Sequence, residues 1–159
     1  MRSKVRFLVI ATTSLLFGAL ISCSDGETET EGGGPLTADE SAYLVSANRI
    51  LADANAAFNP IYFSLIDSAQ RAEASSVAGS AQSLRELSDD LLEMEAPTRF
   101  AEQHLSLIHA LSEMEGALTQ ASAALPASDE AALETVRVRA DTAFRLLREA
   151  SLSYLEAAR

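Results

Sequence analysis

Tryptophan is absent from this chain of 159 residues, cysteine and lysine occur once each, and histidine occurs twice. A single cysteine excludes an internal disulfide, a Cys-based zinc site, an iron–sulfur cluster and the C-x-x-C-H attachment of c-type haem. Basic residues are scarce as well: 12 Lys plus Arg stand against 23 Asp plus Glu, a net charge of −11. A net charge of this sign argues against nucleic acid, whose phosphates want Lys and Arg. The phosphate-binding loop G-x-x-x-x-G-K-[ST], the G-x-S-x-G elbow and the H-E-x-x-H zinc motif are all missing. Of seven glycines only Gly79 and Gly116 fall within residues 37–159. That stretch also lacks the period-two alternation of a half-buried strand. The length allows one compact domain plus its tails.

What is present begins with an address. Arg2, Lys4 and Arg6 precede an uncharged run over residues 7–21, the basic and apolar regions of an export signal. A permanent membrane-spanning helix needs about 20 apolar residues, more than this run supplies. No Arg-Arg pair is present, which points to the general secretory route rather than the twin-arginine one.

The run closes on Leu20-Ile21-Ser22-Cys23. This resembles the lipobox of bacterial lipoproteins: an aliphatic residue, a small residue just before the cleavage point, then Cys. The resemblance implies that the Cys23 thiol takes a diacylglyceryl group, that residues 1–22 are removed as a signal peptide, and that acyl chains such as palmitate anchor the new N-terminus. Ser24, where inner-membrane lipoproteins tend to carry Asp, favours the outer membrane in a host with two. The chain left after cleavage holds nine basic and 23 acidic residues, net −14, and every one of the nine is Arg. Anionic headgroups repel such a body, so the lipid on Cys23 is the expected link to the membrane.

Residues 23–36 are acidic and glycine-rich and bury too little to fold, so they read as a tether. Its acidic residues Asp25, Glu27, Glu29 and Glu31 form a solvated run rather than a calcium site, since nothing fixes them as ligands. Residues 37–159 contain 27 alanines and show helical periodicity throughout. Thr37-Ala38-Asp39-Glu40 is a capping box, and Leu44, Ala47, Leu51, Ala54 and Phe58 follow at spacings of three and four. Pro60 interrupts, yet Ile61, Leu65, Ile66, Ala69 and Ala72 stay in phase. One long helix kinked at Pro60 and ending near Ser75 is expected; the alternative is a break, with Asn59 capping a new helix. A second helix spans about 76–95, with Val77, Leu84, Leu87, Leu91 and Met94 as its stripe. After Pro97 a third helix carries Phe100, His104, Leu107, Leu111, Met114, Leu118, Ala121 and Leu125, an unbroken a/d seam, with Pro126 stopping it. Ser128 is expected to cap the fourth helix, whose stripe is Leu133, Val136, Ala140, Ala143, Leu147, Ala150, Tyr154 and Ala157. Four amphipathic helices joined by short turns pack antiparallel. The fold class is all-α, an up-down-up-down four-helix bundle over residues 37–159.

No catalytic, metal or cofactor set can be read. His104 and His109 lie about 140° apart around one helix and cannot share a metal; His109 falls on the solvated side. Asp89-Asp90, Glu93-Glu95 and Glu113-Glu115 do not converge, because helical neighbours one or two apart face different ways. Met94 and Met114 occupy core positions, although a haem held by His104 with either is a conceivable alternative. The stretch from Leu91 through Pro97 to Leu111 is similar to a helix–Pro–helix segment of helical bacterial lipoproteins of unknown function, and this brings no activity with it. His104 is the one polar residue in an apolar seam. In the bundle it shares a height and an inward face with Tyr43 and Tyr154, so these three are expected to form a buried polar layer with a Tyr hydroxyl bonding the imidazole. The expected role is that of a lipid-anchored, extracytoplasmic, non-enzymatic binding or structural protein of the cell envelope, with another envelope protein as the expected partner. The rival is a small-ligand or cofactor carrier with a pocket near His104.

Overall fold

The computed structural model describes residues 34–66 and 73–159. The signal, Cys23 and most of the tether lie outside the described residues, as do Ala69 and Ala72. Four helices, α1 (Ala38–Ile66), α2 (Ala74–Glu93), α3 (Ala101–Ala127) and α4 (Glu130–Ala157), make up the domain, with one 3₁₀ turn (Thr98–Phe100) before α3. No strand occurs among the described residues. Each helix packs on the next and α4 returns to α1, which closes a four-helix bundle. The contacts of α3 with α2 and α4 are the most extensive, so α3 is its central member.

Local chemistry sets the helix ends. Glu40 N–H donates to Thr37 Oγ1 at 3.2 Å while Thr37 N–H donates to Glu40 Oε2 at 2.8 Å, the reciprocal bonds of a capping box. α1 then runs unbroken through Pro60, so no new helix starts at Asn59. It does not reach Ser75: Glu73 is extended (φ −76°, ψ 133°), and Ala74 and Ser75 belong to α2. The 29 residues of α1 span about 43 Å, a length that α3 and α4 match. α2 starts and stops earlier than its stripe suggested, with Met94 extended at ψ 130°. Pro97 bars the residue before it from helical geometry, and the chain has already left the helix there.

The α3–α4 turn differs most from expectation. Pro126 does not stop α3; its own φ is helical, and the helix runs one residue further, to Ala127. Ser128 is no N-cap. It sits at φ 51°, where its N–H reaches Leu125 O and the Asp129 N–H reaches Ala124 O, the paired bonds of a Schellman turn. Asp129 is the N-cap of α4, its carboxylate accepting from Ala132 N–H at 3.0 Å.

The core is apolar and rich in small residues. Leu107, Leu111, Met114, Leu118 and Ala121 of α3 are buried, as are Val136, Ala140, Ala143, Leu147 and Ala150 of α4. Ala110, Ala117 and Ala124, one position off the a/d seam, are buried too. A methyl in place of a larger group lets neighbouring helices approach along a broad strip. Gly116 serves the same approach from outside: the Arg139 guanidinium lies where its Cβ would stand, and this lets Arg139 pair with Glu113 at 3.0 Å.

Candidate functional site: a polar chain at one end of the bundle

Tyr43 is the sixth residue of α1, His104 the fourth of α3 and Tyr154 the fourth from the end of α4. Antiparallel packing brings all three to the end where residue 34 meets the bundle. Tyr43 Oη lies 3.0 Å from His104 Nδ1 and 2.7 Å from Tyr154 Oη. Phe100, fully buried, stacks on Tyr43 with ring centroids 5.6 Å apart, and Tyr154 tilts against both. The tyrosines are 6% and 2% exposed. His104 is only half-buried, which corrects the expectation of a fully buried layer. It stands in the first turn of α3, where no further turn of helix covers it.

Proton placement follows from counting donors and acceptors. Each phenol has one hydrogen to give, and a neutral imidazole accepts at one nitrogen and donates at the other. If Tyr154 donates to Tyr43 and Tyr43 donates to Nδ1, every buried O–H has an acceptor and Nε2–H faces the half-exposed side. The opposite sense leaves the Tyr154 hydroxyl hydrogen with no acceptor among the described residues. The chain therefore runs Tyr154 to Tyr43 to His104. Burial and this donated bond raise the Tyr154 pKa strongly; burial raises that of Tyr43, while accepting from Tyr154 lowers it in part. Burial holds the His104 imidazole below its ordinary 6.5.

Arg99 closes the same end. Its Nε donates to Ala157 O at 2.7 Å and its Nη1 to Gly34 O at 2.9 Å. A guanidinium at the last carbonyls of α4 also meets the negative end of the helix dipole. One side chain thus ties the start of the described chain to the finish of α4. Neither Arg99 nor the stacking role of Phe100 stands out in the sequence. Their signal was a cation beside an aromatic in the α2–α3 turn, opposite the end of α4.

A second cluster, also unforeseen, lies on the α1–α4 flank. Tyr62 O–H donates to Asp141 Oδ1, its ring stacks on Phe144 with centroids 5.0 Å apart, and it touches Phe58 and Phe63. The carboxylate pushes the Tyr62 hydroxyl up to about 12. This is a rivet between two helices: the Tyr62 hydroxyl hydrogen and one Asp141 carboxylate oxygen are committed to each other.

Among the described residues no group of three or more His, Cys, Asp or Glu could hold a metal ion, and no helix is long and apolar enough to cross a membrane. Met114 is fully buried; ten residues of one helix separate it from His104 by about 15 Å, too far to share an iron. Met94 packs against the core. His109 is exposed and edges a shallow groove with Ser106, Glu149 and Ser153. A groove of about 450 Å³ lies at the other end of the bundle, lined by Ala124, Ala127, Asp129, Ala132 and Val136 among others. Comparison with protein-family models, curated proteins and solved structures finds no match to this chain.

Proposed function

We propose that this chain is a lipid-anchored extracytoplasmic protein of the cell envelope whose helical bundle acts by binding another envelope protein, without catalysis. The observation that carries the proposal is the position of the one thiol: Cys23 ends Leu20-Ile21-Ser22-Cys23, directly after a basic and then apolar leader. The bundle agrees with such a role in two respects. Its interior is filled by apolar side chains and one hydrogen-bonded chain, and its charge is strongly negative. The tether leads from Cys23 to Gly34, eleven residues that reach about 38 Å at full stretch. The Arg99 bond to Gly34 O supports an orientation in which the polar-chain end faces the membrane and the α1–α2 and α3–α4 connections face away. The absence of Asp at position 24 favours the outer membrane where a host has two.

The rival, a small-ligand or cofactor carrier centred on His104, draws no support from the geometry. Nδ1 is taken by Tyr43, and the grooves described are lined by other residues.

The test is Cys23→Ser in the full chain expressed in a bacterium. The unaltered chain should sediment with membranes and carry acyl groups on Cys23 by mass spectrometry, and the variant should lose both. A membrane-bound chain with an unmodified, uncleaved Cys23 would refute the anchor. Crosslinking in intact cells, followed by mass spectrometry, then identifies the partner. Recovery of the chain with no envelope protein refutes the binding role.

A further inference from the structure

A neutral His104 is the only state in which the Tyr154–Tyr43–His104 chain satisfies all its buried hydrogens. An imidazolium donates from both nitrogens. Its Nδ1–H then points at Tyr43 Oη, the atom that was donating to it 3.0 Å away. Tyr43 can turn its hydrogen only toward Tyr154, 2.7 Å off. The Tyr154 hydroxyl hydrogen is left without an acceptor at a residue 2% exposed, and a buried donor without a partner is costly. Nothing nearby offsets the new charge. From the turn before α3, Arg99 faces this end with its guanidinium bonded to Gly34 O and Ala157 O. From α1, Glu40 is bonded to Thr37 N–H, and Asp39 is exposed. Glu93 and Glu95 at the α2 end, Glu102 of α3, and Glu156 and Arg159 at the α4 end are exposed. None of these carboxylates bonds the imidazole.

We propose that the Tyr154–Tyr43–His104 chain is a proton-operated latch. With the imidazole neutral it ties α4, α1 and α3 together where residue 34 enters; with the imidazole protonated the chain must reverse, and that end opens. The latch needs no lipid anchor and stands whether or not Cys23 is acylated. The sign follows from the imidazole. Its pKa is depressed in the folded state, so its contribution to stability is present above the ordinary 6.5 and is lost as pH falls through the folded value. A body outside the cytoplasm meets such a change with its surroundings.

The experiment uses the full chain, labelled with ¹⁵N and held in a mild detergent. Imidazole ¹⁵N shifts report the tautomer and half-titration of His104, with exposed His109 as the reference resonance. The latch requires the Nε2–H tautomer. It also requires that Tyr43→Phe, which keeps the ring but removes the bond to Nδ1, move the half-titration up by about half a pH unit or more. An Nδ1–H tautomer, or a half-titration that Tyr43→Phe leaves in place, would overturn the proposal, because burial by the ring alone would then set it. Amide exchange in the last turn of α4, corrected for the intrinsic rate, should speed up about tenfold as pH falls from about 7.5 to about 5. It should not do so in His104→Leu, which cannot titrate. Equal acid opening in His104→Leu refutes the latch even if Tyr43→Phe does not fold.

Discussion

Truncating Leu111 to Ala removes three carbon atoms from the middle of the central helix. Leu111 is fully buried, and α3 packs on α2 at one side and α4 at the other. The core it belongs to is rich in alanine: Ala110 and Ala117 of α3 and Ala140 and Ala143 of α4 are all buried in it. Alanines have no side-chain freedom with which to fill a hole, so the void stays open unless whole helices move. Leu→Ala changes at buried sites cost about 2–5 kcal/mol, the larger values belonging to sites that cannot collapse. The expected loss here is therefore in the upper half of that range, about 3–5 kcal/mol. Urea denaturation followed by helical circular dichroism measures it, with an unchanged slope showing that the denatured state is unaffected. Leu105, on the same helix but 66% exposed, is the control: Leu105→Ala should change stability by no more than about 0.5 kcal/mol. If Leu111→Ala costs less than about 1 kcal/mol, α3 is not the centre of the core and the packing argument fails.

Two further outcomes follow from the caps and the second aromatic cluster. Ser128 holds a left-handed backbone at φ 51°, which glycine adopts without a Cβ clash; Ser128→Gly should raise stability by about 0.5–1 kcal/mol in the same urea assay, and a loss would mean that the serine side chain itself supports the turn. Tyr62, pushed up to about 12 by Asp141, favours the neutral phenol in the folded state. Its stabilising share is present below the ordinary 10 and disappears as pH rises toward 12. Absorbance at the phenolate band should show Tyr62 ionising well above free tyrosine, and Tyr62→Phe should flatten part of the alkaline fall in stability; an unchanged alkaline curve would contradict the Asp141 bond.

Much of the fold was legible because helical periodicity is a one-dimensional record of which side faces inward. The spacing of Leu107, Leu111, Met114 and Leu118 needs only the 3.6-residue turn to be read as a buried face, and all four are buried. Thr37 with Glu40 is a local pattern too, and its two bonds lie within four residues. The α3–α4 turn is not legible in this way, because Pro126, Ser128 and Asp129 all carry signals for a helix end. Which one acts depends on where the chain must turn to lay α4 on α3, a demand that arises only on packing. Ser128 accepts the strained backbone and Asp129 the cap, and no rule over four residues distinguishes them.

The polar chain divides along the same line. That Tyr43, His104 and Tyr154 share a height and an inward face followed from counting residues between turns in an antiparallel bundle. Which atoms meet did not: the 2.7 and 3.0 Å bonds, the incomplete cover over His104, and the Arg99 clamp on Gly34 and Ala157 depend on how far helices slide and rotate against one another. Tyr62 and Asp141 lie 79 residues apart, with nothing in either neighbourhood to announce the other. Periodicity and caps are written in contiguous residues, and so the sequence by itself determined the helices and their inward faces. Pairings between side chains on different helices are decided by the rigid-body fit of whole helices, which exists only once the core has closed.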